Sequence, residues 1–131
     1  MGGLTYIDTC IWIYLVEIAG EIGQRARSRL RELEGPVAWS ALTRMECLVK
    51  PFRDGDIKVI DDYERSLSRH QRLDIGPAEF DRATLLRARF GIKSVDALHL
   101  ATAQTHGCQT FWTNDTRLAA AAGGLNIDVI T

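Results

Sequence analysis

Five short runs rich in apolar residues most constrain how this chain folds, because segments with helical spacing separate them. The runs do not alternate regularly between apolar and polar residues, which indicates strands buried on both faces, as in a parallel sheet covered by helices. They lie at 4–7, 37–39, 73–75, 109–112 and 127–130. The sequence therefore predicts an α/β fold, a three-layer α/β/α sandwich with a mostly parallel sheet of about five short strands.

Glycine, proline and small polar residues mark the ends of the predicted helices. These helices are expected at 10–19, 21–34, 41–50, 57–69, 77–90, 95–106 and 116–122. Thr9, Ser40 and Ser94 are the expected N-caps, since a hydroxyl oxygen there can accept a free backbone N–H. Pro51 is expected to end the third helix, because proline has no N–H to donate. No repeat or linker interrupts the series, so residues 1–131 are expected to form a single domain.

The overall composition is that of an ordinary globular protein, with 46% hydrophobic and 25% charged residues and a net charge of -1. That balance argues against a protein that binds nucleic acid by bulk charge alone. The three cysteines lack metal-binding spacing and are expected to be small buried hydrophobes in a reducing compartment. The apolar run at 11–16 is too short to span a bilayer, and no basic residue precedes it. We therefore expect an untargeted cytoplasmic protein with no membrane partner.

Acidic residues stand where predicted strands give way to helices. Asp8 follows the first strand, Asp115 follows the fourth, and Asp96 lies in the first turn of the sixth helix. Ligands of open parallel sheets bind beyond the carboxyl ends of the strands, where helices also begin. The three carboxylates are therefore expected to converge at one edge of the sheet.

Glu46 is a fourth candidate, on the helix that leaves the second strand. Leu42, Met45 and Val49 are predicted to form the apolar stripe of that helix, and Glu46 is expected on the same side. An acid in this position is unusual, which favours a role together with the other three carboxylates.

Each acid also has a purely structural explanation. Asp8 and Asp115 can cap helices, and Asp96 in a first turn is favourable to the helix dipole. Glu46 can simply point to solvent from a helix edge. These explanations do not account for the combination of the four acids. Three of them lie at helix starts on one edge of the sheet, and the fourth interrupts an apolar helix face. The joint pattern therefore favours a functional site.

Converging carboxylates repel one another, and a divalent cation removes that cost. Oxygen ligands without a nearby His or Cys suit Mg²⁺ or Mn²⁺. Such an ion can activate a water and stabilise charge on a phosphodiester and its leaving oxygen. Thr113 and Asn114 are candidates to position a ligand water or a carboxylate.

The chain resembles the PIN-domain family, and within it the small VapC-type toxins of toxin–antitoxin pairs. The matching pieces, in order, span nearly the whole chain. They are Tyr6-Ile7-Asp8-Thr9, Ser40-Ala-Leu-Thr-Arg-Met-Glu46, Ser94-Val-Asp96-Ala-Leu-His-Leu-Ala-Thr102 and Thr113-Asn114-Asp115. The resemblance implies metal-binding catalytic acids at Asp8, Glu46, Asp96 and Asp115, supported by Thr9, Thr113 and Asn114.

The same resemblance implies what the protein does and with what. It implies a single PIN-like nuclease domain that acts as a metal-dependent endoribonuclease on RNA, with Mg²⁺ or Mn²⁺ as cofactor. It also implies a homodimer and a VapB-type antitoxin whose C-terminal segment covers the active site.

A non-catalytic Mg²⁺-binding module, such as a receiver-like α/β domain, is the alternative, because receivers also gather acids at strand ends. A receiver has adjacent acids after its first strand and a lysine after its last long strand. Here Asp8 stands alone and no lysine follows Lys93. A scaffold with accidental acids is a third option.

Several other residues have two interpretations each. Arginines at 25, 27, 29 and 31 form a cationic helix face that either is solvated or touches RNA phosphates or acidic antitoxin residues. Arg44, Arg89 and Lys93 are closer in sequence to the acids and are better candidates for RNA contacts. His99 is expected to be structural rather than catalytic. The three tryptophans lie within apolar runs and are expected in the core.

Overall fold

A five-stranded, all-parallel sheet in the order β3-β2-β1-β4-β5 organises the fold. The structure is a computed structural model and describes residues 2–131. The strands are β1 (Thr5–Ile7), β2 (Val37–Ser40), β3 (Gln71–Leu73), β4 (Thr110–Thr113) and β5 (Asn126–Val129). The helices are α1 (Thr9–Glu17), α2 (Glu21–Glu32), α3 (Ala41–Asp54), α4 (Ile57–Ser68), α5 (Pro77–Phe90) and α6 (Ser94–Thr105), followed by a 3-10 helix (Thr116–Ala121). The predicted α/β fold is confirmed.

Consecutive strand residues point to opposite faces of the sheet, and helices cover both faces. Tyr6 and Phe111 are paired across β1 and β4 and belong to the core that α5 and α6 complete. Ile7 and Trp112 are paired next to them and belong to the core formed with α1 to α4. Burial on both faces is the reason that the strand sequences do not alternate.

The connection order creates a switch point in the middle of the sheet. From β1 the chain proceeds outward through β2 to β3, and it then crosses to β4 and β5 on the other side of β1. Such a reversal leaves a crevice beyond the carboxyl ends of the two strands that flank it. Here those strands are β1 and β4, which precede Asp8 and Asp115.

Helix α3 departs from the prediction in length. It runs through Pro51 to Asp54 and ends at Gly55, which has a left-handed backbone with φ 65°. A proline within a helix loses the hydrogen bond from its own nitrogen and crowds the carbonyl four residues earlier. Pro51 is buried, so its packing offsets part of that cost.

The predicted apolar stripe of α3 was also wrong. Met45 and Val49 are 55% and 50% exposed, whereas the buried face carries Thr43, Cys47 and Leu48. The Thr43 hydroxyl accepts a hydrogen bond from the backbone of Ser40 and lies 3.3 Å from the hydroxyl of Tyr6 on β1, so this face of the helix has polar partners in the interior.

Smaller differences occur at the ends of elements. The predicted helix after Asp115 is a short 3-10 helix, and β3 lies at Gln71–Leu73 rather than at 73–75. Ser40 precedes α3 as predicted, but Asp8 and Lys93 occupy the N-cap positions expected for Thr9 and Ser94. In each case the cap is displaced by one residue, which is a common error at helix boundaries.

The cysteines and tryptophans largely follow the prediction. All three cysteines are free; Cys47 and Cys108 are buried, whereas Cys10 is partly exposed. Trp12 and Trp112 are core residues, while Trp39 is half-buried. Over residues 2–131, none of the helices has the length and apolar character that crossing a bilayer requires.

Candidate functional site

Asp8 lies at the centre of the candidate site, at the end of the central strand β1. Its Oδ1 accepts the backbone N–H of Thr9 at 2.9 Å, so it caps α1. Its Oδ2 accepts the hydroxyl of Thr113 at 2.9 Å. The residue is only 8% exposed, which holds a carboxylate in a largely dry position and makes its polar partners necessary.

Thr113 joins the two strand ends at the switch point. It is fully buried at the end of β4, which pairs with β1. While its hydroxyl donates to Asp8, the same oxygen accepts the backbone N–H of Asp115 at 3.2 Å. One side chain therefore sets the position of two of the predicted acids.

Glu46 reaches this edge from α3. Its Oε1 accepts hydrogen bonds from the Thr9 hydroxyl and from Nε2 of His99, each at 2.7 Å. Although partial burial works in the opposite direction, these hydrogen bonds lower the pKa of Glu46 below its usual range. The carboxylate is thus held in its ionised form and in one orientation.

Asp96 lies in the first turn of α6, where its pKa is raised above its usual range. Partial burial is the largest cause, and the negative charge of Asp8 is the next. The charges of Asp115 and Glu46 raise the pKa further, against the opposing effect of His99. The four predicted acids are therefore close enough to share one electrostatic environment.

Asp115 caps the 3-10 helix and is paired with an arginine. Nε and Nη2 of Arg117 lie 3.0 Å and 2.8 Å from its two oxygens, a two-pronged contact. The hydrogen bonds from Arg117 lower the pKa of Asp115. Asp96, Asp115, Arg117 and Lys93 together line a cleft of about 250 Å³.

The three predicted supporting residues separate into two groups. Thr9 contacts Glu46 and Thr113 contacts Asp8, as described above. Asn114 instead donates from Nδ2 to the hydroxyl of Tyr14 at 2.9 Å and is exposed. Its amide is therefore engaged with α1 rather than with the acids.

The donor set is composed of carboxylate oxygens, which suits a hard divalent cation in chemistry and charge. In this conformation, however, no three His, Cys, Asp or Glu side chains within residues 2–131 are placed to hold a metal ion. Glu46 and Asp115 are each engaged with a nitrogen group, His99 and Arg117 respectively. The residues present fit the ion chemically, and Asp115 must turn away from Arg117 before its carboxylate can contribute to binding.

Sequence reasoning missed the connection between the acids and His99. The ring is fully buried, and Nδ1 is 2.7 Å from the hydroxyl of Tyr6 while Nε2 contacts Glu46. A signal was present, since His99 follows Asp96 by three residues on one helix and therefore lies on the same helix face. A polar ring among Ala and Leu side chains needs polar partners.

The arginines of α2 are largely engaged within the molecule. Arg27 donates to the backbone carbonyls of Tyr14, Leu15 and Ile18 at the end of α1. Arg29 lies 3.4 Å from Asp128 and above the Trp112 ring. These contacts favour a structural role for that part of the cationic face.

Comparison with known proteins gives a consistent result. The family described as the PIN domain matches residues 5–124. A toxin–antitoxin complex from Klebsiella pneumoniae contains a chain 25% identical, with a TM-score of 0.78; the match covers 97% of this chain and 98% of that chain.

Two further solved structures have the same fold at lower identity. The DNA-bound VapBC complex from Salmonella typhimurium matches over 100% of both chains, with 20% identity and a TM-score of 0.77. A sarcin–ricin-loop-cleaving VapC toxin from Mycobacterium tuberculosis is 18% identical, with a TM-score of 0.75 and coverage of 89% of this chain and 94% of that one. A search of curated proteins found no match.

Proposed function

Since the chain belongs to the PIN-domain family, we propose that it is a metal-dependent endoribonuclease acting as the toxin of a toxin–antitoxin pair. The observation that carries this proposal is the arrangement of the acids at the carboxyl ends of β1 and β4. Thr113 contacts both Asp8 and Asp115, Thr9 contacts both Asp8 and Glu46, and Asp96 lines one cleft with Asp115. The five strands form one sheet, so we assign residues 1–131 to a single nuclease domain.

Asp8, Glu46, Asp96 and Asp115 are the residues that would hold Mg²⁺ or Mn²⁺. Such an ion supplies an activated water and charge stabilisation for hydrolysis of a phosphodiester bond. The chain contributes the positions of the oxygens: Thr9 fixes Glu46, and Thr113 fixes Asp8. Asp115 would be able to join the ligand set only when its carboxylate is not paired with Arg117.

The cleft beside Asp96 and Asp115 is the proposed path of the RNA. Lys93 and Arg117 provide cations for phosphate groups, and the side chain of Phe90, 43% exposed, provides an aromatic surface for a base. Arg44 is a weaker candidate, because its Nε is 2.8 Å from Glu64. Arg89 remains a candidate on the exposed side of α5.

Partner proteins are proposed from the neighbours and from the surface. The Klebsiella and Salmonella structures are described as toxin–antitoxin complexes, which supports a VapB-type antitoxin for this chain. Met45, Val49 and Phe52 are 55%, 50% and 60% exposed on α3, beside Glu46. We assign this apolar patch to the antitoxin segment that covers the site, since such patches commonly mark protein contacts.

We further propose a homodimer in the cytoplasm, where the RNA substrate is found. Light scattering of the purified chain tests the dimer directly.

The nuclease is tested with total cellular RNA, so that target preference does not decide the result. Purified protein is incubated with Mg²⁺ or Mn²⁺, with EDTA, and as the Asp96→Asn variant. Asp74→Asn is the matched control, because the Asp74 side chain is 89% exposed and its carboxylate faces Arg72. We expect the wild type and Asp74→Asn to cut RNA with Mg²⁺ or Mn²⁺ but not with EDTA. We expect Asp96→Asn to cut RNA under neither condition.

Other outcomes separate the remaining interpretations. Cutting that survives Asp96→Asn would contradict the assigned site. Metal binding by calorimetry without cutting of any RNA would favour the alternative, a non-catalytic Mg²⁺-binding or receiver-like module.

A further inference from the structure

His99 is a buried group in contact with the acids that the proposed chemistry does not use. It lies in the middle of α6 with 0% exposure. Nε2 is 2.7 Å from Oε1 of Glu46 and 3.3 Å from the hydroxyl of Thr9. On the other side of the ring, Nδ1 is 2.7 Å from the hydroxyl of Tyr6. Both ring nitrogens therefore have short polar contacts while the ring itself is fully buried.

The direction of these hydrogen bonds follows from chemistry. An ionised carboxylate accepts hydrogen bonds and has no hydrogen to give, and Oε1 of Glu46 already accepts one from the Thr9 hydroxyl. Nε2 of His99 must therefore carry the hydrogen and donate it to Glu46, whether the ring is neutral or charged. The phenol of Tyr6 is a hydrogen-bond donor, and a neutral ring can accept its hydrogen at Nδ1.

The contact with Tyr6 is itself supported from β2 and α3. The Tyr6 oxygen lies 2.8 Å from the hydroxyl of Ser40 and 3.3 Å from that of Thr43. Ser40 is fully buried, as is Thr43. The result is a continuous chain of polar groups from the start of α3, through Tyr6 and His99, to the carboxylate of Glu46.

We propose that His99 is a positioning residue for Glu46, a role that rests on the proposed metal-dependent function. Glu46 stands on the edge of α3 with its side chain 28% exposed, so without a partner it samples several rotamers. Hydrogen bonds from His99 and Thr9 both end on Oε1. Oε2 is thereby left as the oxygen for a cation or its water. Partners of this kind orient metal ligands in many proteins.

A role in core packing alone makes a different prediction. If His99 only fills space between α6 and the sheet, an apolar residue of similar size serves equally well once the protein has folded. If it orients Glu46, the hydrogen at Nε2 is what matters. Glutamine places an N–H near the position of Nε2, asparagine places one near Nδ1, and leucine has none.

The test compares His99→Gln, His99→Asn and His99→Leu with the wild type. Mn²⁺ affinity is measured by calorimetry without RNA, together with kcat and KM for RNA cleavage and thermal unfolding in EDTA. We expect His99→Leu and His99→Asn to lose about 10- to 100-fold in Mn²⁺ affinity and in kcat with KM little changed. His99→Gln is expected within about threefold of the wild type.

Two controls sharpen the comparison. His106→Leu removes an imidazole at the far end of α6, where Nε2 contacts the carbonyl of Asp74 at 2.8 Å. This substitution is expected to change neither the Mn²⁺ affinity nor kcat. In a Glu46→Gln background, His99→Leu is expected to have no further effect on Mn²⁺ affinity, because the two residues act as one unit.

The results that overturn the proposal are distinct from failure of the nuclease assignment. Wild-type Mn²⁺ affinity in a folded His99→Leu variant would overturn the positioning role while leaving the metal site intact. If leucine prevents folding, equal Mn²⁺ affinity of His99→Gln and His99→Asn would overturn it. A wild-type protein that neither binds Mn²⁺ nor cuts RNA would overturn both proposals.

Discussion

Arg117 donates two hydrogen bonds to Asp115, from Nε to Oδ1 at 3.0 Å and from Nη2 to Oδ2 at 2.8 Å. Both residues follow β4 closely, and Asp115 also accepts the backbone N–H of Arg117 at 3.0 Å. The contact joins an acid of the proposed metal set to a cation that is 80% exposed. In the absence of a metal ion, Arg117 therefore neutralises part of the negative charge at the site.

Replacing Arg117 by alanine is expected to raise the affinity for Mg²⁺ or Mn²⁺, because the substitution frees Asp115 and removes a competing positive charge. The gain is expected to be modest, about two- to fivefold, since exposed ion pairs are weak and screened. Calorimetric titration of the wild type and of Arg117→Ala with metal, at low and at high salt, measures the change in affinity. Unchanged affinity at low salt would show that Asp115 does not contribute to metal binding.

Replacing Asp96 by asparagine is expected to stabilise the protein in EDTA near neutral pH. The pKa of Asp96 is raised above the ordinary value of 3.8 by burial and then by the charge of Asp8, so its ionised form disfavours the folded state. The protonated carboxyl group of Asp96 favours the folded wild type, and the wild type loses this stability as pH rises through the folded-state pKa of Asp96. The expected gain is about 0.5–1 kcal/mol, or roughly 2–4 °C in Tm.

Urea unfolding in EDTA at neutral and at acidic pH measures the effect. The advantage of the Asp96→Asn variant is expected to disappear at pH values below 3.8, where the wild-type carboxyl group is protonated in both states. A variant less stable than the wild type in EDTA at neutral pH would contradict the inferred repulsion.

Replacing Arg27 by alanine is expected to destabilise the fold without affecting metal binding. The Nη1 group donates to the carbonyls of Tyr14, Leu15 and Ile18 at 3.3, 3.2 and 2.9 Å, where α1 ends and its carbonyl groups lack helical partners. We expect a loss of about 1–2 kcal/mol in the free energy of unfolding.

Arg31→Ala is the matched control for this measurement by urea unfolding. Arg31 belongs to the same helix but is exposed, and among residues 2–131 its side chain has a hydrogen bond only to the hydroxyl of Ser28, at 3.4 Å. Equal destabilisation by the two substitutions would show that Arg27 acts through the propensity of α2 rather than through the end of α1.

The thiols are expected to react slowly in the native protein. Burial raises the pKa of Cys47 to about 12 and of Cys108 to about 11. Burial, followed by the charge of Asp8, raises the pKa of Cys10 to about 12. At about pH 8 very little thiolate is present, so a disulfide reagent should titrate the thiols rapidly only after unfolding in urea. Fast reaction of Cys47 in the folded protein would contradict its burial.

Local patterns in the sequence were sufficient for the α/β class, the strands and the helices, because periodicity and chain breakers act over a few residues. They also placed Asp8 and Asp115 at strand ends, since a polar residue that follows a buried strand is visible in the sequence alone. The capping and functional explanations of these two residues proved compatible, because the structure has each acid capping a helix at the proposed site.

The rotation of α3 was decided only by the tertiary structure. A stripe of Leu42, Met45 and Val49 was expected to face the core, yet Thr43 and Cys47 do so. The capping contact of Thr43 with Ser40 is local, but the contact of Thr43 with Tyr6 comes from β1 and exists only once the helix packs on the sheet. Apolar spacing along one helix contains no information about which neighbour it meets.

The sequence by itself therefore determined the order of the elements and the acids at their junctions. The tertiary structure decided which side chains act together: His99 with Glu46 across 53 residues, Thr113 with Asp8 across 105 residues, and Tyr6 with His99 across 93 residues. The physical reason is that these hydrogen bonds join residues from separate elements, so they depend on how the elements pack. Local sequence patterns specify each element but not the partner that its polar groups find.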